Sequence, residues 1–225
     1  MMFMVDFKTE REKLVNRLID ENILHSPTVI KAMKKVKREL FTSKNYKPYS
    51  YVDEPLPIPP FTGKQTISAP HTYPMFYEPL ELKKGDKFLE IGTGSGYGAA
   101  LAREIVGKSG KVITIENNKE TFEFAKSNLK RAGYTDVITI LGDGSGGYEK
   151  YAPYDKISVT ASCNKIPEPL IEQLANNGKM VIPIGPVYPS QKLVLIEKDS
   201  NGIIRQKTIN YVVYVPLTGK YGYKD

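Results

Sequence analysis

The chain has 225 residues, 40% of them apolar and 25% charged, proportions ordinary for a water-soluble globular protein of one sizeable domain. Its longest apolar runs, 179–184 and 193–196, are far too short to cross a bilayer, and a lone Cys163 excludes an internal disulfide and suits a reducing, cytoplasmic setting. A net charge of +7 would fit a nucleic-acid partner, but no nucleic-acid motif accompanies it, and Lys31, Lys34, Lys35, Lys37 and Arg38 read as one solvated helix face.

The opening run Met1 to Val5 is interrupted at once by Asp6, Glu10 and Glu12, so no apolar signal core is expected. Leu14, Val15, Leu18, Ile19 and Ile23 recur at helical spacing and predict a helix over 8–24. Ser26 followed by Pro27 is a cap with a first-turn proline. Val29, Met33, Val36 and Leu40 form the stripe of a second helix. From 47 to 60 the chain carries Pro48, Pro55, Pro57, Pro59 and Pro60, which excludes regular helix and predicts a loop. That loop leads into Gln65-Thr66-Ile67-Ser68-Ala69-Pro70-His71. Beyond it, Pro74 can start a helix but Pro79 predicts a kink or an early end.

After Gly85 strands and helices alternate, the mark of a mainly parallel sheet covered on both faces. Strands are expected at 87–91, 111–115, 137–141, 156–160 and 179–184, and helices at 97–106, 119–132 and 169–175. The finish differs: strands at 192–197, 203–209 and 211–216 around the turn Asp199-Ser200-Asn201-Gly202 predict antiparallel pairing. The expected architecture is a doubly wound, seven-stranded Rossmann-like α/β sheet with an antiparallel C-terminal strand pair and an N-terminal helical segment. It forms one domain, divided as helices and proline-rich loop (1–62), cofactor core (63–185) and C-terminal segment (186–225).

Chemistry concentrates at Phe88-Leu89-Glu90-Ile91-Gly92-Thr93-Gly94-Ser95-Gly96-Tyr97. The small residues let a strand turn sharply into a helix and approach a ligand closely. A glycine loop alone is shared with dinucleotide enzymes. Here Glu90 stands just before the turn, where it would repel a pyrophosphate but suit the cationic end of S-adenosylmethionine. Glu116 ends the next strand, where a carboxylate accepts from ribose hydroxyls. Asp143, in Gly142-Asp143-Gly144, ends the one after and either reaches the adenine amino group or simply forms a turn. His71 either polarises its loop or caps it, His25 lies far from any motif, and Cys163 reads as a packing residue.

With these motifs the chain resembles the protein-L-isoaspartate (D-aspartate) O-methyltransferase family almost from end to end. The resemblance rests further on Arg38-Glu39-Leu40-Phe41, Tyr51-Val52-Asp53, Ala152-Pro153-Tyr154-Asp155, Ile166-Pro167, Val181-Ile182-Pro183-Ile184-Gly185 and Val215-Pro216-Leu217-Thr218-Gly219. It implies methyl transfer from S-adenosylmethionine, with S-adenosylhomocysteine as product, to the α-carboxylate of L-isoaspartyl residues in damaged proteins. The ester then closes to a succinimide and reopens partly to aspartate.

Ser68 corresponds to the family's active-site serine, and Ser68, Pro70, Val215, Pro216, Leu217 and Thr218 to its substrate-binding residues. Cofactor contacts fall on Thr66, Ile67, His71, Glu90, Gly92, Thr93, Gly94, Ser95, Gly96, Glu116, Asn117, Asp143 and Gly144. No metal, nucleic acid or membrane is implied. Two departures from the family pattern, Thr72 to Pro79 and Thr160-Ala161-Ser162-Cys163-Asn164, leave open a related methyltransferase with another acceptor, or a catalytically weakened relative.

Overall fold

A computed structural model describes residues 5–63 and 65–223; residues 1–4, on which part of the signal-core expectation fell, lie outside the described residues. The first helix, α1 (Phe7–Asp20), is capped by the Asp6 carboxylate, which accepts the Lys8 and Thr9 N–H groups. It ends four residues before the expected boundary at 24. Asn22 adopts φ 59° and Ile23 donates back to the Leu18 carbonyl at 2.9 Å, a left-handed stop of the kind asparagine tolerates. Leu24 remains buried although it has left the helix.

The second helix, α2 (Pro27–Lys35), also stops short of the expected Leu40. Val36 is extended, and a 3-10 turn follows at Arg38–Leu40. This corrects the reading of the basic run. Lys31, Lys34, Lys35 and Lys37 are exposed, but Arg38 is fully buried. The proline-rich stretch opens inside a 3-10 helix (Lys44–Tyr49) that includes Pro48 and is otherwise a loop, and it contributes the short strand β1 (Leu56–Pro57), antiparallel to β2 (Thr66–Ile67). The next helix, α3 (Thr72–Leu80), holds Pro79 in its last turn and ends at a left-handed Glu81, so the proline shortens it.

Then come β3 (Lys87–Ile91), α4 (Tyr97–Val106), β4 (Lys111–Glu116), α5 (Lys119–Ala132), β5 (Ile138–Leu141), β6 (Tyr154–Val159), α6 (Glu168–Gln173), β7 (Leu174–Ile184), β8 (Gln191–Lys198) and β9 (Ile204–Val212). Most boundaries lie within two residues of expectation, and two regions differ more. Residues 174 and 175 belong to β7 rather than to the preceding helix. The two last expected strands are one, β9, which shifts register opposite Leu193 and Val194. Residues 213–216 have left the sheet.

The seven strands lie in the order β5-β4-β3-β6-β7-β8-β9, parallel through β7 and antiparallel at β8 and β9. Side chains alternate between the two faces. Phe88 and Val112 join a core with α1 to α4, while Leu89, Ile91, Ile113 and Ile115 join a second core with Leu170 of α6. The chain progresses from β3 to β4 and β5 in one direction and to β6 in the other. The carboxyl end of β3 is therefore a switch point, where open α/β sheets bind ligands. Among the described residues no helix is long and apolar enough to cross a membrane.

Candidate functional site

A cavity of about 1130 Å³ opens at that switch point. It is lined chiefly by residues 65–77 of β2 and α3, the turn after β3, the tips of β4 and β6, Val187, Tyr188 and Ser190 between β7 and β8, and 211–218. Of the residues singled out above, Thr66, Ile67, Ser68, His71, Glu90, Gly92, Thr93, Gly94, Ser95, Glu116, Asn117, Gly144, Val215, Pro216, Leu217 and Thr218 line it. Pro70, Gly96 and Asp143 do not. Pro70 is buried behind the loop. Gly96 (φ 86°) packs where a Cβ would lie 3.0 Å from Leu129.

Asp143 is turned toward the C-terminal segment. Its carboxylate accepts the Ser145 N–H and the Lys220 N–H, each at 2.8 Å. Burial pulls its acidity one way, but these hydrogen bonds win and hold the carboxyl below its usual range.

Glu90 lines the cavity and is only 2% exposed. Thr114 donates a hydrogen bond to it at 2.7 Å, and no cation pairs with it among the described residues. Burial raises its pKa to about 8; Thr114 opposes the shift and the Glu116 charge adds to it. A buried carboxylate without a cation favours its neutral form, so this group is set to receive a positive charge. Glu116 sits 7% exposed at the tip of β4 and accepts the Gly94 N–H at 3.0 Å and the Asn118 N–H at 3.1 Å. Burial raises its pKa against those hydrogen bonds.

The turn between them needs its glycines. Gly92 has φ 92°, and a Cβ there would fall 2.4 Å from the Thr160 hydroxyl, which itself donates to the Gly92 carbonyl at 2.8 Å. A cationic ligand carrying a ribose therefore fits the donor set: buried acid, bare backbone turn, second acid at the next strand tip.

Ser68 stands on the other wall, at the exit of β2. Tyr214 reaches the same place. Burial raises its hydroxyl above the ordinary range, and the neighbouring Thr72 and Ser68 hydroxyls partly oppose that. His71 lines the cavity with its ring on Asp53: Nδ1 lies 3.1 Å and the His71 N–H 2.9 Å from the Asp53 carboxylate. His25 instead pairs with Glu78 at the start of α2, outside the site.

The segment after β6 has a task that the sequence did not disclose. Ser162 donates its N–H to the Val215 carbonyl at 2.8 Å and accepts the Leu217 N–H at 2.7 Å, so it fastens 215–217 to the cavity rim. Cys163 is buried and its thiol is pushed up to about 12 by burial, as expected of a packing residue. Sequence reasoning also missed Tyr73, Tyr77, Thr114 and Tyr214 in the lining and support of the site. Their only local signal is an aromatic or hydroxyl residue in a helix, in a strand or, for Tyr214, just past β9, and partners from distant segments give it meaning. Among the described residues no cluster suited to a metal is present.

Comparison with known proteins follows the same outline. A Plasmodium falciparum structure, described as a beta-aspartate methyltransferase in complex with S-adenosyl-L-homocysteine, superposes with a TM-score of 0.81 at 28% identity, covering 96% of this chain and 99% of that one. A solved protein-L-isoaspartate O-methyltransferase gives 0.81 at 32% identity over 94% of this chain and 66% of its own. Protein-L-isoaspartate O-methyltransferase 2 of Archaeoglobus fulgidus is 52% identical over 98% of both chains. The enzyme of Pyrococcus horikoshii is 46% identical over 99% of this chain and 100% of its own. The family model for protein-L-isoaspartate(D-aspartate) O-methyltransferase matches residues 9–222, and with relatives this similar along nearly the whole length, the chain belongs to that family.

Proposed function

We propose that this protein transfers a methyl group from S-adenosylmethionine to the α-carboxylate of L-isoaspartyl residues in damaged proteins. The observation that carries the reading is the pairing of a buried, cation-free Glu90 with Ser68 in one cavity. When bound, S-adenosylmethionine supplies a methyl group activated by its sulfonium. Glu90 offers the negative charge for the cationic end, the bare turn Gly92 to Ser95 lets the backbone approach, and Glu116 accepts from the ribose. Asp143 fastens the C-terminal segment beside the adenine end, with Gly144 and Asn117 next to it.

A peptide carboxylate is already ionised at neutral pH, since its pKa is about 3.5, so no general base is needed. Its oxygen takes the methyl carbon as the carbon–sulfur bond breaks. Ser68 donates a hydrogen bond that aims the carboxylate, and Val215, Pro216, Leu217 and Thr218 hold the peptide at the rim. Such alignment is worth about 7–11 kcal/mol of barrier at best. The acceptor is a protein rather than a nucleic acid or a membrane, and the setting is cytoplasmic.

The test is methyl incorporation into a peptide containing L-isoaspartate against its aspartyl twin. Labelling of the isoaspartyl peptide alone is expected, and equal labelling of both would overturn the reading.

A further inference from the structure

Arg38 belongs to a motif shared with the family, yet it does not itself line the cavity. It is fully buried. Nε donates to the Ser50 carbonyl and Nη2 to the Ser68 carbonyl, both at 2.8 Å. Nη1 is buried with no partner. The guanidinium carbon lies 5.2 Å from the centre of the Tyr97 ring and 6.0 Å from that of Tyr73. Among the described residues no carboxylate pairs with it; the neighbouring Glu39 faces Arg11 at 3.6 Å and takes the Tyr51 hydroxyl. A permanent cation buried without a counter-ion is a costly way to tie two loops together, since neutral donors would do so at smaller desolvation cost. Its place is telling: one arm holds the backbone of Ser68, and its rings are Tyr73, which lines the cavity, and Tyr97, which opens α4 directly after the glycine turn.

We propose that Arg38 is a positioning residue for methyl transfer: by gripping the Ser68 carbonyl from behind the cavity, it fixes the direction in which the Ser68 hydroxyl meets the acceptor carboxylate. The proposal rests on the reading of Ser68 given above. The planar guanidinium spans Ser50 and Ser68 at once, a reach that a lysine ammonium cannot reproduce with two bonds in fixed directions. Displacing a reacting group by about 1 Å costs roughly a hundredfold in rate, so the grip acts on turnover more than on binding.

The experiment is a double-variant cycle on the full chain, with Arg38→Lys, Ser68→Ala and the pair. The readouts are kcat and KM for the isoaspartyl peptide, affinity for S-adenosylhomocysteine by titration calorimetry, and the melting temperature. Arg38→Lys is expected to lower kcat about tenfold or more, with KM and S-adenosylhomocysteine affinity within threefold of the parent. Because Arg38 acts through Ser68, the double variant should be no slower than Ser68→Ala alone. Multiplying losses would overturn the role of Arg38 while leaving that of Ser68 intact, whereas an unimpaired Ser68→Ala would remove both. A parallel fall in S-adenosylhomocysteine affinity and kcat would also overturn the proposal, by marking Arg38 as a general support of the fold. If Arg38→Lys fails to fold, a second variant takes its place. Arg38→Gln, a neutral donor of shorter reach, then carries the same cycle with the same criteria.

Discussion

Gly98 and Glu90 meet with no room for a side chain between them: a Cβ on Gly98 would stand 2.3 Å from Glu90 Oε1 and 3.0 Å from the Tyr77 hydroxyl. The glycine lies inside α4, where alanine would otherwise favour the helix by up to about 1 kcal/mol. It is kept because the buried carboxylate occupies the space. Gly98→Ala is therefore expected to destabilise the protein by about 1–3 kcal/mol through overpacking, seen as a lower urea midpoint. It should also weaken S-adenosylhomocysteine binding at least tenfold. Improved stability with unchanged binding would refute the contact.

Glu90 itself gives a pH signature. Its folded pKa is raised, from 4.5 to about 8. The folded protein thus holds a proton that the unfolded chain lacks across this window, and the contribution of Glu90 to stability declines as pH rises from 4.5 toward 8. The α-ammonium, which S-adenosylmethionine and S-adenosylhomocysteine share, bound beside it favours the ionised form, so binding releases that proton. Calorimetric titration with S-adenosylhomocysteine at pH 6.5, in buffers of different ionisation enthalpy, should show close to one proton released. Release should vanish in Glu90→Gln. An identical proton count in parent and variant would exclude Glu90 as the cation's partner.

Asp143 and Gly219 bind the C-terminal segment to the tip of β5. Gly219 has φ 121°, and a Cβ there would fall 2.0 Å from Asp143 Oδ1. Gly219→Ala should therefore break the Lys220 contact, and Asp143→Ala should do the same from the other side. Both variants are expected to lose S-adenosylhomocysteine affinity about tenfold, in line with about 1.5 kcal/mol for a hydrogen bond to a charged group. Both should also raise KM for the peptide. Loss of affinity in Asp143→Ala alone would assign the carboxylate to the cofactor and not to the segment.

The His71–Asp53 pair titrates in a predictable direction. Its Asp53 hydrogen bond raises the His71 pKa above 6.5 against burial. Burial acts to raise Asp53, but His71 and Arg17 outweigh it and hold the carboxyl below 3.8. The stabilising pair is thus complete between about pH 4 and 6.5. It fades as pH rises through the raised value of His71, and again as pH falls through the lowered value of Asp53. In an NMR titration, Asp53→Asn should move the His71 midpoint down toward 6.5. A midpoint that stays put would show that the pair carries no charge coupling.

Much of the fold could be read from local pattern because its causes are local. The glycine turn, the acids at the tips of β3 and β4 and the alternation of strand and helix all declare themselves within a few residues. Arg38 did not, and the reason is physical. Val36 and Leu40 continue the helical spacing of α2, and the surrounding lysines make a basic residue read as solvated. Only the carbonyls of Ser50 and Ser68, 12 and 30 residues away, turn it inward. Asp143 was legible as a strand-tip acid, but its bond to Lys220, 77 residues on, follows from tertiary closure. The helix ends at Asp20 and Lys35 were overrun for a related reason: Leu24 and Val36 are buried outside any helix, so apolar spacing outlasted the element that began it.

The backbone bonds between Ser162 and residues 215 and 217 leave the neighbouring side chains uncommitted, with Val213 66% and Val215 42% exposed. A rim fastened by its main chain can change its outward residues without loosening its anchorage. If this border holds the peptide as proposed, tolerance of many flanking sequences around a damaged site is the expected consequence, and exchanging those two valines is the direct route to altering which peptides it accepts.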